Sequence, residues 1–183
     1  MKQSRLVKIS KYLSYHLRHH PEQLGLILAP GGWVEVEKLL SAAKKNNFLI
    51  SFNELQQAVA QNDKQRFSLD ATGTLIRANQ GHSSQVDLQL KPITPPSLLY
   101  HGTHLGAVAA IVREGLRKMS RHHVHLSEDL HTARNVGARR GKPVIFQIDA
   151  SAMFQANYQF YCSANQVWLV EAVPPDYLHK LEF

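Results

Sequence analysis

The chain has 183 residues, 44% of them hydrophobic, which is enough for one good core or two small ones. Its formal charge of +7 is lopsided, with 12 Lys+Arg against 7 Asp+Glu in residues 1–95 and 9 against 7 in residues 96–183, and suits a polyanionic partner. A single cysteine, Cys162, excludes an internal disulfide and the usual zinc spacings, and no run nears the roughly 20 apolar residues of a membrane span, so a cytoplasmic monomer without a metal is expected.

Leu6, Ile9, Leu13 and Leu17 recur at helical spacing, predicting an amphipathic first helix. Its last turn carries Arg18 and His19, and Pro21 helps to end it. Cations there complement the helix dipole by roughly 0.3–1 kcal/mol each, so a helix cap is their simplest use. Periodicity predicts two further helices, over 35–45 and 51–61, the second opening on Ser51 and Glu54 in capping-box spacing. The alternating runs RFSLD (66–70) and TLIRA (74–78) flank Ala-Thr-Gly and predict a β-hairpin. Helices followed by a hairpin suggest a winged helix over residues 1–80.

Residues 81–97 hold three prolines and little periodicity, the composition of a linker. From 98 to 183, strands within 97–101, 124–127, 143–149 and 166–173 alternate with helices over 105–116 and 129–138. The whole reads as an α+β chain.

Three stretches of the second half carry chemistry. In LYHGT (99–103), Gly102 lets a ligand approach the backbone while His101 and Thr103 offer hydrogen bonds. HVHLSED (123–129) places His123, His125 and Ser127 on one strand face. NVGARRGKPVIF (135–146) sets Arg139 and Arg140 between two glycines with Lys142 just after them, either as a solvated basic loop or as an anion site built on forked guanidinium donors.

Taken in order, LSYHLRHHP, KQRFSL, IRANQGHS, LYHGT, HVHLSED, VGARRGKPV and VWLVEAVPPDYL resemble the RNA 2′-phosphotransferases of the tRNA-splicing type, from near residue 4 to the C-terminus. The resemblance implies an N-terminal winged-helix lobe for RNA and a C-terminal ADP-ribosyltransferase-like lobe that binds NAD. It implies removal of an internal 2′-phosphate from RNA, in splicing or in RNA repair. The phosphate attacks the nicotinamide-bearing carbon of NAD; a neighbouring ribose hydroxyl then attacks phosphorus and releases ADP-ribose 1″,2″-cyclic phosphate.

By the same resemblance the catalytic set is Arg18, His19, Arg66 and Arg139, four residues converging on one phosphate. His101, Gly102, Thr103, His125 and Ser127 would hold NAD. The family's departure from protein-modifying relatives implies an uncharged residue near Val167 in place of a catalytic glutamate, with Glu171 a solvated carboxylate. His20, Arg77, Asn79 and His82 are weaker candidates for support of the phosphate pocket, and Arg140 competes with Arg139. An ADP-ribosyltransferase acting on protein or nucleic-acid ends, or a non-catalytic winged-helix nucleic-acid binder, are the competing classes.

Overall fold

The computed structural model describes residues 1–62 and 64–182, the side chain of Arg140 excepted. The chain divides into two compact units, Met1–Leu90 and Lys91–Phe183. Both mix helices with small antiparallel sheets, an α+β organisation. Among the described residues no helix is long and apolar enough to cross a membrane.

In the first unit, α1 (Gln3–Arg18) buries Leu6, Ile9, Leu13 and Leu17, the four residues of its apolar stripe. His19 is its C-cap rather than a residue of the last turn, and Pro21 opens a separate 3-10 turn, Pro21–Leu24. The predicted helix over 35–45 starts one residue later: β1 (Val34–Glu35) precedes α2 (Val36–Lys45), because Val34 and Glu35 pair with Ile76 and Leu75. This two-residue strand leaves no periodic trace, so sequence reads it as helix. The hairpin forms as β2 (Phe67–Leu69) and β3 (Leu75–Ala78), completing a sheet of order β1-β3-β2.

The capping box is present at the start of α3 (Phe52–Ala60): the Ser51 Oγ accepts the Glu54 N–H at 3.2 Å, and Glu54 Oε2 accepts the Ser51 N–H at 3.0 Å. Glu54 also receives the Arg5 Nε at 2.9 Å, tying α1 to α3. That bond, with the Ser51 amide, holds the Glu54 carboxyl down at about 2. A depressed carboxylate adds stability that is complete above its ordinary value of 4.5 and is lost as pH falls toward 2. Glu54→Gln is therefore expected to flatten the acid branch of the thermal-stability profile over that window; an unaltered branch would show that the contact adds nothing.

In the second unit the longest strands, β4 (Leu98–His104) and β7 (Pro143–Asp149), pair along their length, with Gly102 opposite Ile145. The predicted helix over 105–116 is shorter. After a 3-10 turn, α4 (Val108–Glu114) stops at Gly115, whose φ of +79° is closed to other residues, and β5 (Leu116–Arg117) follows. Next come β6 (Val124–Leu126) and α5 (Leu130–Gly137), the latter capped by Asp129.

Sequence reasoning misses α6 (Ala150–Gln155) and β8 (Phe160–Cys162), which are short. The run at 166–173 splits into β9 (Trp168–Val170) and β10 (Ala172–Val173), which join different sheets, and β11 (Leu178–Leu181) closes the chain. The sheets are β11-β7-β4, β6-β9-β8 and β10-β5. Tyr100 and Ser127 exchange two 2.8 Å backbone bonds, which brings β4 alongside the end of β6.

Candidate active site

The second unit holds a cleft of about 1130 Å³. His101, Gly102 and Thr103 line it from β4, His123 and His125 from around β6, and Arg139 from the 3-10 turn Ala138–Arg140 after α5. Of the cofactor candidates, Ser127 does not line the cleft; its backbone pairs with that of Tyr100. Burial pushes the His101 imidazole below its ordinary pKa, with a smaller contribution from the Arg121 charge. The shift favours the neutral ring. Its Nδ1–H can only donate to the His125 carbonyl, 3.1 Å away, which leaves Nε2 as an acceptor.

Gly102 is explained first by packing. A Cβ there would overlap the Ala133 carbonyl oxygen and stand 2.9 Å from the Gly137 nitrogen, because α5 lies against β4 backbone to backbone. Gly137 completes the contact: its own Cβ would come within 2.7 Å of the Thr103 oxygen. The side of Gly102 on which a Cβ would stand is thus filled by helix α5, while the residue also lines the cleft.

The 117–121 loop is a cleft wall that sequence reasoning misses. Arg117, Lys118 and Arg121 line the cleft, and the signal that finds them is the run RKMSRHH, with five basic or histidine residues in seven. Arg117 pairs with Glu114 at 3.2 Å and Lys118 with Glu171 at 2.9 Å, both at the surface. Lys118 lowers the Glu171 carboxyl's pKa. Glu171 lines the cleft with an exposed side chain, whereas Val167 sits in the β8–β9 turn, bonded through its backbone to Ser163.

In the first unit, Arg18, His19 and Arg66 gather where α1 ends. The Arg18 Nη2 reaches toward the Arg66 carbonyl at 3.5 Å, and its Cζ lies 5.8 Å from the Phe67 ring centre. Arg66 donates from Nη1 and from its backbone N–H to the Asn62 Oδ1, at 3.2 and 3.4 Å. Asn62, which sequence reasoning passes over, is anchored in turn on Ser10 Oγ at 3.0 Å.

Asn79 braces the same turn: its Nδ2 donates to the Gln65 carbonyl at 2.6 Å, and its N–H donates to the Arg66 carbonyl at 2.9 Å. Gln65 has a φ of +41°, so this bracing holds a backbone shape that most side chains disfavour. Arg77 lies 4.5 Å over the Trp33 ring and is lowered in pKa by burial, and His82 is fully buried. His20 turns aside to Glu22 at 3.1 Å. Arg140, the rival of Arg139, has its side chain outside the described residues.

The last carbonyl of α1 is closed by residues distant in sequence. Arg18 O accepts the N–H groups of Ser83 and Ser84, at 2.9 and 3.1 Å, and the Ser84 hydroxyl at 3.1 Å. His19 Nδ1 meets Ser83 Oγ at 2.9 Å. Orphan carbonyls at a helix end need such donors, and here the donors come from the GHSS stretch.

Histidines and forked cations are parts that a phosphate-transferring enzyme needs, and the comparisons point to phosphate transfer. The sequence model of the RNA 2′-phosphotransferase, Tpt1 / KptA family matches residues 4–172. A probable RNA 2′-phosphotransferase of Trichormus variabilis is 63% identical over 99% of this chain and 100% of its own length. One of Nostoc punctiforme is 62% identical over the same shares, and one of Herpetosiphon aurantiacus is 56% identical over 97% of this chain and 98% of its own. With matches of that depth from end to end, the chain belongs to the RNA 2′-phosphotransferase, Tpt1 / KptA family.

Proposed function

We propose that this chain removes an internal 2′-phosphate from RNA and passes it to NAD, with 2′-phospho-ADP-ribosylated RNA as intermediate and nicotinamide and ADP-ribose 1″,2″-cyclic phosphate as products. Family membership supports the phosphate transfer. The observation that carries the NAD reading is the cleft that gathers His101, Thr103, His125 and Arg139 around a neutral imidazole acceptor.

Its volume exceeds the range of about 300–1,000 Å³ for ordinary small-molecule pockets and suits a dinucleotide. His101 Nε2 would accept from a ribose hydroxyl, and the 117–121 loop offers charge to the diphosphate. Arg117 and Lys118 can turn to it readily, since exposed ion pairs are worth only about 0–1 kcal/mol. NAD supplies the electrophilic carbon and departs as product, so it is a second substrate.

In this reading the first unit, three helices with a three-stranded antiparallel sheet, serves as the winged-helix RNA lobe and the second as the ADP-ribosyltransferase-like lobe, with residues 81–97 as their linker. Arg18, Arg66 and Arg139 neutralise the phosphate, which carries nearly two negative charges. Fixed guanidinium donors stabilise the charge that shifts over its oxygens in the transesterification. His19 moves the proton of the attacking hydroxyl or of the departing RNA oxygen. Action as a cytoplasmic monomer belongs to the same reading.

The test is incubation with NAD and an oligoribonucleotide bearing one internal 2′-phosphate. Nicotinamide, RNA with a plain 2′-hydroxyl and the cyclic phosphate are expected. A stable ADP-ribosyl adduct would instead mark an ADP-ribosyltransferase, and failure to bind NAD a nucleic-acid binder.

A further inference from the structure

We infer that Ser83 is a positioning residue for His19, and that the nitrogen of His19 facing the reaction is Nε2. The inference rests on the proposed role of His19. Ser83 Oγ stands 2.9 Å from His19 Nδ1, while the Ser83 N–H is fixed 2.9 Å from the Arg18 carbonyl. One residue therefore clamps both the backbone before His19 and the ring itself. Ser84 adds a second amide and a hydroxyl to the same carbonyl, and the neighbouring His82 is fully buried, so the clamp is anchored.

The partner's chemistry suits a ring that changes protonation. A carboxylate at Nδ1 would favour the imidazolium throughout. A hydroxyl can donate to the bare nitrogen of a neutral ring and accept from the protonated one, so it orients His19 in both states. With Nδ1 so engaged, Nε2 is the nitrogen that takes up and returns the proton. The GHSS stretch, linker-like in composition, thereby acquires a task in the site.

Ser83→Ala removes the clamp on the ring but keeps the backbone donor. Misplacement of a reacting group by about 1 Å costs on the order of a hundredfold, so a loss of kcat of about ten- to a hundredfold is expected, with KM for NAD and the melting temperature unaltered. Ser83→Thr, which retains a hydroxyl, should restore most of the rate. In the His19→Ala background, Ser83→Ala should cost nothing further, because the two act as one unit. A full loss from Ser83→Ala on top of His19→Ala, or normal turnover of Ser83→Ala beside a crippled His19→Ala, would overturn the assignment of Ser83 alone. Normal turnover of His19→Ala would instead overturn the proposed role of His19 and this inference with it.

Discussion

Gly102→Ala is expected to destabilise the second unit by about 3 kcal/mol or more, the upper end of overpacking costs. For a unit spanning Lys91–Phe183 this lowers the melting temperature by more than about 10 °C. The added Cβ would overlap the Ala133 carbonyl oxygen, which belongs to helix backbone and cannot rotate aside as a side chain can. Strand β4 is paired along its length to β7, so it cannot yield alone.

Gly137→Ala tests the contact from its other side. Alanine favours helices over glycine by about 1 kcal/mol, and Gly137 has a helical φ of −62°, so propensity alone predicts stabilisation. Destabilisation there would show that backbone contact outweighs propensity. If Gly102→Ala instead melted like the parent and lost only NAD binding, the glycine would be a ligand determinant, as its place in the His-Gly-Thr run suggests.

The second large effect concerns Arg139. Loss of one donor to developing charge typically costs ~10²–10³ in rate, so Arg139→Ala should be slowed by that factor in the transesterification. The first step, in which the phosphate is already a competent nucleophile, should proceed. 2′-Phospho-ADP-ribosylated RNA should then accumulate, visible as a slower band on a denaturing gel, and Arg18→Ala should behave alike. If Arg66, which is held by Asn62, seats the phosphate as proposed, Arg66→Ala should slow both steps and trap little. Arg139→Lys keeps charge without the planar fork and should remain impaired. Near-parental rates without trapped intermediate in all of these would return the three arginines to helix-end and surface chemistry.

Long periodic segments were readable before any coordinates, as α1 with its four buried leucine and isoleucine residues and the Ser51–Glu54 box both show. Strands of two residues were not readable as separate elements. β1, β5 and β10 exist because a distant strand offers partners, and nothing local announces them. The candidates in the second unit were legible through residue type, since His101, His125 and Arg139 do share one cleft. Their supports were not: Asn62 under Arg66 and Ser83 beside His19 act across intervals of 4 and 64 residues, and neither stands out by type. Gly102 shows the opposite failure. Its importance was plain, yet the neighbour that requires it is a helix backbone visible only in the fold.

The closure of α1 by Ser84 spans 66 residues, and this sets an order of events during synthesis. At about 5–20 residues per second, a ribosome that has just released α1 needs about 3–13 s more to deliver the serines that cap it. Until then the Arg18 carbonyl lacks these donors and is left to water. The apolar stripe can meanwhile collect α2 and α3, whose contacts are closer in sequence. The cationic end of α1 is thus set late on the nascent chain, after the helices and the hairpin of the first unit have been made.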